Sequence, residues 1–164
     1  MNSHLARRAL LVIALFASLA LVACGGSKTA SVGAGVATGT EAGGTSVNVT
    51  LKEFAIAIDQ ATVPAGEITF RVKNGGTIVH EMVVAKTDLA PEKLPLLTAG
   101  STIEEGHAVG DVDEEQLDSP GEVSDVPVGQ TSNATFKLEP GKYVLYCNLA
   151  GHYKLGMFTT FIVE

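Results

Sequence analysis

Cysteine is scarce in this sequence: 164 residues contain two, Cys24 and Cys147. No disulfide-stapled scaffold can be built from that pair, and a lone thiol in the folded part needs another explanation. Basic residues are also few, 11 Lys and Arg against 18 Asp and Glu for a net charge of −7, which argues against nucleic acid as a partner. There is no sustained helical periodicity, which removes a helical bundle, and no internal repeat, which removes a solenoid. The one long apolar stretch, Ala9 to Val22 broken only by Ser18, falls short of the about 20 residues a bilayer span needs.

That stretch follows Arg7 and Arg8 and ends in small residues, which is the pattern of a secretory signal over residues 1–23 with cleavage before Cys24. Leu21-Val22-Ala23-Cys24 resembles the bacterial lipoprotein box, and the resemblance implies a diacylglycerol on the Cys24 thiol. Two or three acyl chains would anchor the protein stably, each buried CH₂ contributing about 0.8 kcal/mol. A plain signal peptide with an accidental Cys is the alternative. Residues 24–46 are then the lipidated Cys and a flexible tether, Ser27 to Ser46 being Gly, Ala, Ser, Thr and Val with only Lys28 and Glu41 charged. The folded domain is expected over 47–164. Loss of Arg7 and Arg8 with the signal leaves 9 basic residues against 18 acidic ones. Nine of the acidic residues, from Glu104 to Asp125, have no Lys or Arg among them and read as a solvated loop or as a docking patch for a basic partner.

Within the folded part, period-two alternation predicts strands over Val47–Leu51, Phe54–Ile58, Glu67–Lys73, Ile78–Ala85, Thr131–Leu138, Tyr143–Cys147 and Phe158–Val163. Turns are expected at Thr62-Val63-Pro64-Ala65-Gly66, Asn74-Gly75-Gly76 and Glu139-Pro140-Gly141. One short helix is expected around Pro91 to Leu97, capped by Asp88. Short strands punctuated by Gly and Pro turns make two antiparallel sheets packed face to face, an all-β sandwich.

The stretch from Cys147 to Met157 places a thiol, the imidazole of His152 and a thioether on one short loop between strands. These donors suit copper, because two His, one Cys and a weak axial Met accommodate Cu(I) and Cu(II) with little rearrangement. The missing imidazole is expected from His80. Once His4 leaves with the signal only His107 competes, and His107 sits in the loop-like acidic region, whereas His80 lies on a strand that can hold it rigidly. His80-Glu81-Met82 is not a zinc-protease motif, since Val84 stands where the second His belongs.

With these residues in view, 47–164 resembles the type 1 blue-copper cupredoxins, the group that includes plastocyanin and azurin. A strand-borne His followed by a C-terminal loop carrying Cys, His and Met is that family's arrangement, and Gly141-Lys142-Tyr143 leading into Tyr146-Cys147 matches its last hairpin. The ligand-loop spacing is most similar to rusticyanin, auracyanin and sulfocyanin. The resemblance implies a Greek-key β-sandwich, one copper ion held by His80, Cys147, His152 and Met157, and one-electron transfer rather than catalysis. It also implies redox protein partners, among them membrane respiratory or photosynthetic complexes, and a monomer on the outer face of a cytoplasmic membrane. Tyr146 resembles the aromatic that plastocyanins present beside an electron route. Glu81 departs from the pattern, standing where many members have Asn or Ser to tie the ligand loops together.

Copper delivery, storage or tolerance is the competing function. Such proteins offer open Met- and His-rich surfaces, and this chain keeps only Met82 and Met157 after its signal. A copper oxidase or nitrite reductase needs further His ligands, and only His107 is left over. A binuclear copper site needs a second Cys beside Cys147.

Overall fold

The alternation of Val47, Val49 and Leu51 becomes the first strand of a chain described over residues 44–164 in a computed structural model. The order is β1 Thr45–Lys52, β2 Ala55–Ile58, β3 Thr62–Val63, β4 Gly66–Asn74, β5 His80–Lys86, β6 Asp118–Val126, β7 Thr131–Leu138, β8 Gly141–Tyr146 and β9 Phe158–Val163. The expected signal over 1–23, the lipidation position Cys24 and nearly all of the tether lie outside the described residues. Among the described residues no helix is long and apolar enough to cross a membrane.

Two sheets stack, one ordered β2-β1-β4-β7 and the other β3-β9-β8-β5-β6. Their facing sides supply the core: Val47, Val49, Leu51, Ile68, Phe70 and Val72 from the first, Met82, Val84, Leu145, Phe161 and Val163 from the second. Each fully buried side chain of this size contributes about 1.5–3 kcal/mol. Phe70 sits at the centre, edge-on to Phe161 with ring centroids 5.3 Å apart.

The sheets are mixed rather than purely antiparallel, because β1 pairs parallel with β4 and β3 parallel with β9. Parallel neighbours need a crossover, and the chain provides it by leaving the first sheet after β2 and touching the second at β3. Thr62 and Val63, expected in a turn, are that touch.

Three further expectations are corrected. The His80 strand begins at His80, not Ile78: the Asn74 side chain donates to the carbonyls of Ile78 and Val126 at 2.7 and 2.8 Å, pinning a turn that leaves Ile78 and Val79 exposed. The helix near Pro91 is a single 3₁₀ turn, Pro91–Lys93, without a side-chain cap from Asp88; Leu94 is already extended, as a residue preceding Pro95 must be. The acidic tract is not all loop, since Asp118–Val126 forms β6, antiparallel to β5. Pro120 and a run of carboxylates are poor strand material inside a sheet, but β6 is an edge, where both are tolerated.

The segment between β5 and β6 folds over the outer face of the second sheet, where its Leu94 and Val112, together with Tyr153 from the loop after β8, cover Val83, Ala85, Val144 and Tyr146. β5 is therefore buried on both sides, and its first six residues show no alternation in exposure.

Candidate metal centre

His80 opens β5 on the inward side, in line with Met82 and Val84, and its imidazole is fully buried at one end of the sandwich. The loop after β8 comes back to meet it. Cys147 follows directly on β8, and a 3₁₀ turn, Tyr153–Leu155, returns the chain to β9 past His152 and Met157. Gly151 and Gly156 take positive φ of 81° and 96° at the two ends of that turn, a conformation costly for a side-chain-bearing residue.

The donors meet. One nitrogen from each of His80 and His152 and the Cys147 sulfur all lie within 4.8 Å of one another. His152 Nδ1 stands 3.3 Å from His80 Nδ1 and 3.2 Å from Cys147 Sγ. An ion bonded at about 2.0–2.3 Å to each donor leaves neighbouring donors roughly 3.2–3.8 Å apart, so the spacing fits a single metal ion. Met157 is fully buried in the same apolar cluster as Cys147. A thiol and two imidazoles are donors that copper accepts in either valence. His107 is not among them; it lines a separate acidic cavity of about 290 Å³ with Glu104, Glu114 and Glu122.

Burial pushes the Cys147 thiol up to about 11, so at neutral pH it keeps its proton until a cation displaces it. Burial, then the neighbouring His80, lowers His152 below the ordinary imidazole range, which leaves that ring neutral and able to donate. Among the described residues Cys147 has no disulfide partner, and its complete burial disfavours an intermolecular disulfide.

Glu81 performs the tie that its identity had put in question. Its Oε1 accepts the N–H of Asn148 at 2.8 Å, joining the His80 strand to the residue after Cys147. Burial raises its carboxyl to about 7. Tyr146 is fully buried with its hydroxyl unpartnered, and Tyr153 packs on it with centroids 6.1 Å apart, so it is not presented at the surface.

Four residues essential to this geometry escaped the sequence reading. Glu53 and Phe54, in the turn between β1 and β2, reach the two imidazoles: Phe54 lies edge-on to His152 at 5.1 Å, and Glu53 Oε1 approaches His80 Nε2 at 3.4 Å. Hydrogen bonds from the Thr77 backbone and then other nearby amides hold the Glu53 carboxyl well down, at about 2. Asp111, buried, accepts the N–H of Gly151 at 2.9 Å and that of Ala108 at 2.7 Å. Asn148 exchanges hydrogen bonds with the backbone of Val112 at 2.7 and 3.0 Å. The excursion thus braces the ligand loop. No local pattern announces such partners, which are far apart in sequence; a charged residue in a tight turn was the one available hint for Glu53.

No family model matches the sequence, and no curated protein does. Solved structures do. Dithionite-reduced auracyanin from the photosynthetic bacterium Roseiflexus castenholzii superimposes with a TM-score of 0.52 at 24% identity, over 74% of this chain and 99% of that one. Auracyanin B superimposes with a TM-score of 0.52 at 23% identity, over 73% and 88%. The fold is the cupredoxin-like β-sandwich.

Proposed function

We propose that this protein is a one-electron carrier that holds one type 1 copper ion between His80, Cys147, His152 and Met157. The observation that carries the reading is the convergence of the His80, Cys147 and His152 donor atoms within 4.8 Å in a buried pocket. Bound there, copper would supply one-electron chemistry between Cu(II) and Cu(I). The chain's own residues would do the rest. Two strands and a braced loop hold the donors fixed, so that little rearranges on electron gain or loss. The surrounding core, with Phe54 and Leu149 packed against it, keeps water from the thiol. His152 is 9% exposed while the other three are fully buried, so its edge is the way in for an electron. The fold of the auracyanins supports the same reading.

The carrier is proposed to act outside the cytoplasmic membrane, tethered through lipidated Cys24, as a monomer exchanging electrons with redox proteins such as respiratory or photosynthetic complexes. The acidic tract is the proposed contact for a basic partner. No catalytic role is assigned to the chain.

The test is to add Cu(II) to the purified protein and record its visible spectrum. An intense thiolate-to-copper band that bleaches with ascorbate, returns with ferricyanide and is absent in Cys147→Ser supports the carrier. A colourless protein that yields Cu(I) readily to a chelator overturns it in favour of copper delivery, storage or tolerance. Release of the protein from membranes by Cys24→Ser tests the anchor.

A further inference from the structure

His80 has a second ring nitrogen, and its surroundings are informative. The imidazole is fully buried, and its Nδ1 lies 3.3 Å from His152 Nδ1, which in turn contacts the Cys147 sulfur. Nε2 points the other way and has no closed hydrogen bond; the group approaching it is Glu53 Oε1, at 3.4 Å. A neutral imidazole carries one proton, on one nitrogen or the other. Were it on Nδ1, that nitrogen would lose the lone pair it needs to bind a metal.

The Glu53 carboxylate is itself firmly placed. Oε1 accepts the N–H of Thr77, the N–H of Ile78 at 3.0 Å and the Thr77 hydroxyl at 3.2 Å. Gly76 leaves room for it: a Cβ there would lie 2.5 Å from Oε1 and 2.8 Å from Oε2. The turn before β5 is thus shaped around a carboxylate supplied by the turn after β1.

We propose that Glu53 is a positioning residue for His80: its carboxylate is the acceptor for Nε2–H, which fixes the tautomer that offers Nδ1 to the metal and sets a negative charge one imidazole away from it. This rests on the copper reading above. A metal on Nδ1 makes Nε2–H a stronger donor, and a carboxylate on that proton makes the ring a more basic ligand. The added negative charge favours the more highly charged oxidised ion, so Glu53 holds the reduction potential down.

Two variants separate the two effects. Glu53→Gln keeps an acceptor and loses the charge; Glu53→Ala loses both. In the metal-free protein, nitrogen-15 NMR is expected to show His80 protonated on Nε2 in the wild type and in Glu53→Gln, and a mixture of tautomers in Glu53→Ala. With copper bound, both variants should shift the ratio of reduced to oxidised protein about tenfold towards reduced at a fixed applied potential, the scale typical of such outer partners. For one electron that is about 59 mV. A potential unmoved in Glu53→Gln, or an unchanged tautomer in Glu53→Ala, overturns the proposal. Should Glu53→Ala fail to fold, the potential of Glu53→Gln decides alone. Failure of the wild type to take up copper would sink the carrier reading instead, and the metal-free tautomer measurement would still test Glu53.

Discussion

The backbone N–H of Cys147 donates to the carbonyl of Met157 at 3.0 Å, so the two ends of the ligand loop are hydrogen-bonded to each other. Inside that closure the N–H of Met157 donates to the carbonyl of His152 at 3.2 Å. Three of the four proposed donors therefore belong to one small ring of backbone, and the fourth, His80, is brought to it by the sheet.

The closure depends on Gly156, whose φ is 96° and whose Cβ position would meet nothing within 4 Å. Gly156→Ala should cost about 1–2 kcal/mol from backbone conformation alone. Urea unfolding of the metal-free protein measures it, and an unchanged midpoint would show that the left-handed turn is not required.

Asp111→Ala removes the acceptor for two backbone N–H groups, that of Gly151 in the ligand loop and that of Ala108 in the excursion. Hydrogen bonds to a buried charge contribute about 1.5–3 kcal/mol each, so a loss of at least about 2 kcal/mol is expected. Because one of those groups is Gly151, hydrogen exchange should accelerate in the ligand loop and not in β1 or β4. Uniform acceleration would mean a global effect instead.

Much of this was legible in the chain. Alternation located the strands of the first sheet and the last hairpin, because one face of each meets the core and the other meets solvent. The four proposed ligands could be named from donor chemistry, since few His, Cys and Met compete. What stayed hidden was non-local. β5 lacks the periodicity of exposure because the excursion buries its second face, and β6 is written in residues that only an edge tolerates. Glu53, Phe54, Asp111 and Asn148 do their work through partners tens of residues away.

Glu114 lies at the rim of the acidic cavity and accepts the Nδ2–H of Asn148 at 2.8 Å. Burial raises its carboxyl, Glu122 and Glu104 add to the rise, and the Asn148 bond and His107 oppose it. A carboxyl raised on folding binds its proton more tightly in the native state. Its contribution is complete below the ordinary carboxylate range and is lost as pH climbs through the raised value. The metal-free protein should lose stability across that window, and Glu114→Gln should flatten the loss. Parallel pH profiles for the two proteins would exclude this origin.

Met157→Leu should keep the copper site and its colour while raising the reduction potential, because the other three donors remain while the weak axial electron donation, which matters more to the electron-poor Cu(II) than to Cu(I), is lost. Voltammetry measures this, and a potential equal to the wild type would remove Met157 from the ligand set.

Electron exchange with cationic ammine complexes should slow as salt rises, and exchange with ferrocyanide should quicken, if the carboxylates between Glu104 and Asp125 govern approach. Stopped-flow rates that are flat in ionic strength for both reagents would dismiss the acidic surface as a docking element.

The parallel pairing of β1 with β4, and the placement of β9 between β3 and β8, join parts of the chain that are far apart in sequence. His80 stands on β5, and the loop that carries Cys147, His152 and Met157 is held between β8 and β9. Assembly of this kind depends on contacts remote in sequence and is slow. A complete set of donors therefore exists only in the folded chain, and metal uptake at the proposed site would be coupled to completion of the fold.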